Sequence, residues 1–97
     1  MPTYITLIKF TEKGIQSIKG FQKNQAKAVK AAEEIGGKVK SLFMTMGEYD
    51  GVVIGECSGD EVAVAGAIAA AMDGNIRTTT MRAFTPEEFA KIVGMLP

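Results

Sequence analysis

The chain predicts an α+β fold of split β-α-β-β-α-β order with one more short helix at its end. Three observations carry that expectation. Four short segments are rich in β-branched and aromatic residues, two longer stretches between them read as helix, and glycine, proline or capping residues mark nearly every junction.

Taken in order, Thr3 to Phe10 is the first strand, apolar on both faces, so that each face must be covered. Thr11 to Gly14 turns the chain, and Ile15 to Ile35 reads as helix interrupted near Gly20. In its second part Val29, Ala32 and Ile35 share one side. Gly36 and Gly37 end it, since glycine takes the left-handed cap conformation without steric cost. Lys38 to Met46 is the second strand, with Val39, Ser41, Phe43 and Thr45 on one face and Lys40, Leu42, Met44 and Met46 on the other. Gly47 to Asp50 connects it tightly to a third strand, Gly51 to Cys57, as an antiparallel hairpin. Ser58 and Glu61 have capping-box spacing and open a helix over Asp60 to Met72, apolar nearly all round and therefore expected to be covered on more than one side. Asp73-Gly74-Asn75 leads into the fourth strand, Ile76 to Phe84. Thr85, Pro86 and Glu88 then start a helix that runs to Leu96.

This order is the ferredoxin-like motif, expected here as one domain over residues 1–97. Its helices lie on one face of the sheet only. The other face still carries apolar and threonine side chains, so two copies packed sheet to sheet, a dimeric α/β barrel, are the expected architecture.

Composition excludes more than it identifies. Histidine and tryptophan are absent, which removes an ordinary zinc site, histidine-ligated haem, a histidine triad and an imidazole base. No metal and no cofactor is expected. One cysteine, Cys57, permits no internal disulfide; it reads as a small packed residue, and a reducing cytoplasm is the expected location. The longest apolar run, Val62 to Met72, falls well short of the ~20 residues of a membrane span, so no membrane partner is expected. Net charge is zero but uneven: residues 1–40 carry +5 and residues 41–97 carry −5. Lys19, Lys23, Lys27 and Lys30 have helical spacing, yet no arginine or stacking aromatic is interleaved, and nucleic acid is not an expected partner.

Two places hold candidate binding chemistry. In Gly47-Glu48-Tyr49-Asp50-Gly51, Gly47 relieves a turn, Asp50 can accept a backbone N–H and Tyr49 offers a ring and a hydroxyl. The same residues at a cleft mouth would bind a polar ligand. In the fourth strand, alternation puts Thr78, Thr80 and Arg82 on one face and Arg77 and Thr79 on the other. One arginine should therefore meet a covered surface, paired with Glu56 or Asp50, either as an internal ion pair or as a carboxylate clamp. Tyr4 reads as core, and Met44, Met46, Met72 and Met81 as packing.

The residues "GGKVKSLFMTMGEYD", "VVIGE" and "GNIRTTTMRAFTPEEF" resemble the GYD family, named for its glycine-tyrosine-aspartate signature, here Gly47, Tyr49 and Asp50. The resemblance runs over nearly the whole chain and implies a dimeric α/β barrel in a group without an assigned biochemical activity. Gly51 departs from the larger apolar residue expected after the signature, which predicts a loosened start to the third strand. The hairpin is more loosely similar to the effector-binding domain of leucine-responsive-type regulators, which implies ligand sensing without DNA reading.

Three functions follow as expectations. The first is a homodimer, or a higher homo-oligomer, that binds a small polar or anionic molecule through Tyr49, Asp50, Glu56, Arg77 or Arg82, without catalysis. The second is a cofactor-free monooxygenase or isomerase, which requires Glu56 or Asp50 desolvated beside Tyr49. The third is an interaction module whose barrel is filled with side chains.

Overall fold

A computed structural model describes residues 1–97. Strand β1 (Thr3–Phe10) is followed by α1 (Glu12–Gln16), a 3-10 turn (Ile18–Gly20) and α2 (Phe21–Ile35). Then come β2 (Lys38–Met44), β3 (Gly51–Glu56), α3 (Asp60–Ala71), β4 (Ile76–Ala83) and α4 (Pro86–Val93). The strands form one antiparallel sheet in the order β2-β3-β1-β4, the topology of the ferredoxin-like motif. Helices α2 and α3 pack on each other and lie over one face of the sheet.

Local chemistry sets the junctions. Thr11 caps α1 by accepting from Gly14 N at 3.0 Å, and its hydroxyl donates to Gly74 O at 2.6 Å. Gly14 lies so close to the α3–β4 turn that a Cβ there would stand 2.0 Å from Asn75 O, which is why only glycine fits. Gly36 closes α2 in the left-handed conformation, φ 113°. Thr85 and Glu88 make the expected reciprocal capping box, Glu88 N donating to Thr85 Oγ1 at 3.1 Å and Thr85 N to Glu88 Oε1 at 2.8 Å. The box expected from Ser58 does not form. Gly59 is the cap residue of α3, without a side-chain bond, and the Asp60 carboxylate is engaged elsewhere, by Tyr4.

The hairpin differs from strict alternation. Val39 pairs with Gly55 and Ser41 with Ile54, so Lys40 is a bulge residue and the side-chain phase shifts across it. Val39 therefore joins Leu42 and Met44 on the helix-facing side, while Ser41 and Phe43 face away. The strand ends at Met44, and the connection runs from Thr45 to Asp50, closed by Thr45 N donating to Asp50 O at 2.9 Å and Thr45 Oγ1 to Tyr49 O at 2.5 Å. Nor is the start of β3 loose: Gly51 is buried, paired with Ile8 and Met44. The Met44 thioether fills the space a larger residue would take, its sulfur 3.3 Å from where a Cβ would stand. The methionines are less buried than packing residues should be, because Met46 lies in the connection, Met72 at a helix end and Met81 on the uncovered sheet face.

Few side chains leave solvent altogether; Tyr4, Ile8 and Cys57 are the apolar ones. The uncovered face presents Ile5, Leu7, Val52, Ile54, Phe43 and Met81, the last two 60% and 42% exposed. Helix α4 carries Phe89, Ile92 and Val93 at amphipathic spacing but has only marginal contact with the rest of the chain. The outer stripe of α3, Val64, Ile68 and Met72, is also in solvent. The radius of gyration, 14.7 Å, exceeds the ~12.5 Å of a compact chain of this length, and the molecule measures 52 × 30 × 17 Å.

Candidate functional site

The residues singled out in the sequence do not converge. Asp50 serves the backbone: its Oδ2 accepts from Phe10 N at 2.8 Å and its N–H donates to Ile8 O at 2.8 Å. Gly47 takes a positive φ of 108°, and Tyr49 is half-buried with the Lys9 ammonium 5.3 Å from its ring centroid. Arg77 pairs with Lys9 across β1 and β4 on the uncovered face. Glu56, paired with Thr3 at the far end of β1, is in phase with that face and also borders the helix-side cleft. Six residues of strand, roughly 20 Å, separate the two ends.

Arg82 is on the helix-facing side, as alternation requires, but on the edge strand β4 and exposed. Its guanidinium stands over the rings of Tyr4 at 5.9 Å and Phe84 at 4.8 Å. Neither arginine is buried and neither pairs with Glu56 or Asp50; the ion pair present is Lys27–Asp73 at 3.5 Å. The expected clamp is absent because Arg82 lies exposed on the edge strand β4, stacked on Tyr4 and Phe84. Nor does an acid stand desolvated beside Tyr49, since the Asp50 carboxylate is committed to the backbone.

A cleft lies instead between α2, α3 and the covered sheet face. It encloses about 190 Å³ and most of its lining is apolar. From the sheet it is floored by Tyr4, Thr6 and Ile8 and by Val53 and Thr80; from α3 it is roofed by small residues such as Ala63, Gly66 and Ala67. Thr6 and Thr80 share a hydroxyl hydrogen bond of 3.0 Å across β1 and β4.

At one end of the cleft Tyr4 donates to Oδ1 of the exposed Asp60 at 2.5 Å, joining β1 to the first turn of α3; Asp60 lies outside the lining, whereas Lys38 and Glu56 belong to it. That bond, then burial and the Asp60 charge, raise the Tyr4 phenol from its ordinary 10.0 to about 12, with Arg82 acting in the opposite sense. Cys57 lies alongside, buried, its thiol 3.3 Å from Gly59 O. Sequence reasoning missed this group because Tyr4 and Asp60 stand 56 residues apart and each has a sufficient local reading, one as core and one as helix start. The available signal was a tyrosine on the covered face, whose hydroxyl needs a partner. No trio of cysteine, aspartate or glutamate side chains gathers as a metal site, and no helix is long and apolar enough to cross a membrane.

Comparison with known proteins gives a family and a fold. The sequence profile of the GYD domain matches residues 4–93. No curated protein matches the chain. Among solved structures, TTHA0845 from Thermus thermophilus is similar with a TM-score of 0.57 and 22% identity, over 88% of this chain and 95% of that one. FFRP-DM1 is similar with a TM-score of 0.52 and 22% identity, over 87% of this chain and 100% of that one. At such identity these likenesses establish the fold alone.

Proposed function

This chain belongs to the GYD domain family, and from that premise we propose that it is a homodimeric, non-catalytic protein that holds a small molecule in the cleft between its helices and its sheet. The cleft carries the reading: it is concave and largely apolar with a few polar groups, the composition of a small-molecule site, and its volume of about 190 Å³, below that of most such sites, suits a small ligand. The ligand site moves accordingly from the Tyr49–Asp50 hairpin, whose carboxylate serves the backbone, and from the exposed arginines to the cleft, which none of these residues lines.

The second copy is the occupant proposed for the uncovered sheet face. An apolar sheet face in water is unfavourable, and the amphipathic α4 extends beyond the chain's own body, as a segment does when its packing surface belongs to another copy. Charge gives the orientation. Lys9 and Arg77 lie at one end of that face and Glu56 at the other. A twofold axis perpendicular to the strands sets unlike ends together, whereas an axis parallel to them stacks Lys9 and Arg77 on their own copies. Arg77 and Glu56 then act in assembly.

Native mass spectrometry of freshly purified protein tests both parts. The expected spectrum is a dimer with a reproducible extra mass that is lost when the cleft is narrowed by Ala67→Leu. A monomer at micromolar concentration removes the dimer, and an extra mass insensitive to the cleft substitution places the ligand elsewhere.

A further inference from the structure

We propose that the ligand of the cleft is a linear amphiphile, an unbranched hydrocarbon chain laid lengthwise with an uncharged hydrogen-bonding head at the Asn24–Gln25 end; this rests on the cleft being the ligand site. Shape gives the chain. The lining follows the covered side of β1 from Tyr4 through Thr6 and Ile8 to Phe10, roughly 20 Å of strand, and on the helix layer follows α2 from Phe21 to Ala32, roughly 16 Å of helix. About 190 Å³ drawn out over such a length is a narrow, half-open slot, so a ligand gains contact by running along it. Its middle is apolar: Ala28 and Val29 of α2 and Ala67 of α3 stand over Ile8 and Val53, and the hydroxyls of Thr6 and Thr80 are engaged with each other.

The two ends differ, and the difference orients the head. Toward Phe10, where β1 passes into the helices, the amides of Asn24 and Gln25 and the hydroxyl of Thr78, the residue paired with Ile8, line the cleft. All three side chains are half-buried, and none is hydrogen-bonded within the chain. Amides and hydroxyls both donate and accept, so this end matches an alcohol or a carboxamide. The charged lining residue here, Asp73, is already neutralised by Lys27 at 3.5 Å.

The Tyr4 end offers a head group less. Its hydroxyl is donated to Asp60, outside the lining, and Lys38 and Glu56 stand opposite each other in the β2–β3 register as charges of opposite sign. An uncharged head is therefore satisfied beside Asn24 and Gln25, with the hydrocarbon pointing toward Tyr4.

Amide NMR titrations of isotope-labelled protein test this with hexan-1-ol, octan-1-ol and decan-1-ol, with cyclooctanol as the compact counterpart and octanoate as the charged one. Affinity should tighten about fourfold for each added methylene, the equivalent of burying one CH₂, and cyclooctanol and octanoate should both bind more weakly than octan-1-ol. The side-chain amide resonances of Asn24 and Gln25 should move with every alcohol, and amides nearer Tyr4 only with the longer ones. Ala63→Leu, which narrows the slot toward its Tyr4 end, should remove the gain from octan-1-ol to decan-1-ol and spare hexan-1-ol. Circular dichroism establishes that this variant is folded, and the parent series stands without it. Affinity that is flat with chain length, or cyclooctanol as tight as octan-1-ol, overturns the linear ligand but leaves the cleft as a site. Octanoate tighter than octan-1-ol overturns the uncharged head. Alcohol binding insensitive to Ala67→Leu, or no saturable binding of any alcohol, overturns the inference as a whole. The cleft reading falls with it only if Ala67→Leu also keeps the extra mass in native mass spectrometry.

Discussion

Placing a carboxylate at the centre of the uncovered sheet face discriminates between an interface and a merely exposed surface. Ile5 is the residue to change, because it lies between Ile54 of β3 and Met81 of β4 in the middle of that face. In the isolated chain an aspartate there stands at the water boundary, and the cost is the lost strand preference and contact, on the order of 1 kcal/mol. In a sheet-to-sheet dimer it is shut between two apolar faces. Burying an unpaired carboxylate costs several kcal/mol, and twofold symmetry makes each substitution count twice. Taking ~3 kcal/mol per copy gives ~6 kcal/mol per dimer, or a dissociation constant raised roughly 10⁴-fold. Sedimentation velocity over a concentration series reads this directly, with circular dichroism as the check on folding. Val64→Asp, on the outer stripe of α3, is the matched control, since it introduces the same charge on an apolar surface, 57% exposed, that faces away from the sheet. Ile5→Asp should sediment as a monomer at micromolar concentration and Val64→Asp as the parent dimer. The opposite pattern would refute the sheet-to-sheet arrangement and assign the interface to α3.

Three further outcomes follow from local geometry. A phenolate absorbance step near pH 12 should vanish in Tyr4→Phe and move down in Asp60→Asn. The folded-state value is raised, so the bond's stabilisation is full below pH 10.0 and is lost as pH climbs from there through about 12; a step that ignores Asp60→Asn would break the assigned pairing. Glu88 is held below its ordinary value chiefly by the Thr85 backbone N–H, so its contribution is present above the ordinary glutamate range and lost as pH falls through the depressed value. Amide protection in α4, taken relative to the intrinsic exchange rate at each pH, should therefore fall in acid for the parent and change little with acid in Glu88→Gln. Gly14→Ala forces a Cβ against the Asn75 carbonyl and should cost about 2–3 kcal/mol in chemical denaturation; an unchanged midpoint would mean that the α1 and α3–β4 turns do not touch.

The strands were legible because their signals are local: period-two alternation, glycine at turns, and a threonine-proline-glutamate start that forms its capping box as read. The phase of β2 was not, because the bulge at Lys40 arises in pairing with β3, and no residue near Lys40 announces an unpaired position. Asp50 was legible as a backbone acceptor but not as the acceptor of Phe10 N, 40 residues away. For the arginines, alternation gave the faces and failed on burial. Facing the helices covers a residue less on an edge strand than in the middle of the sheet, and Arg82 is on the edge strand β4. The cleft was hidden for a related reason. Its walls are the same apolar residues that would fill a core, and the sequence does not give the distance between layers.

That distance, set against the size of the side chains on α3, explains why the cleft is open and supplies a test of its role. Packed layers stand about 10 Å apart, and a helix spans such a gap with leucine, isoleucine or phenylalanine. Here the cleft side of α3 is Ala63, Gly66, Ala67 and Ala70, which let α2 approach closely, a Cβ on Gly66 standing 3.8 Å from the Ala32 Cβ, but reach little toward the sheet. The sheet side mixes larger side chains such as Tyr4, Ile8 and Val53 with Gly55 and threonines. The small residues of α3 leave the volume empty, at a cost in dispersion that a packed core would not carry. If the space serves only as loose core, Ala67→Leu fills it: three added carbons at about 0.8 kcal/mol each, less the ordering of the new side chain, give a gain of roughly 1–2 kcal/mol. The gain should appear in chemical denaturation of ligand-free protein, where overpacking of an already filled layer would instead cost about 1–3 kcal/mol. The same variant should lose the extra mass in native mass spectrometry, because ligand and leucine compete for one volume. Stabilisation with binding retained would show a cleft that is real but is not the site, whereas destabilisation would show that the helices already rest on the sheet.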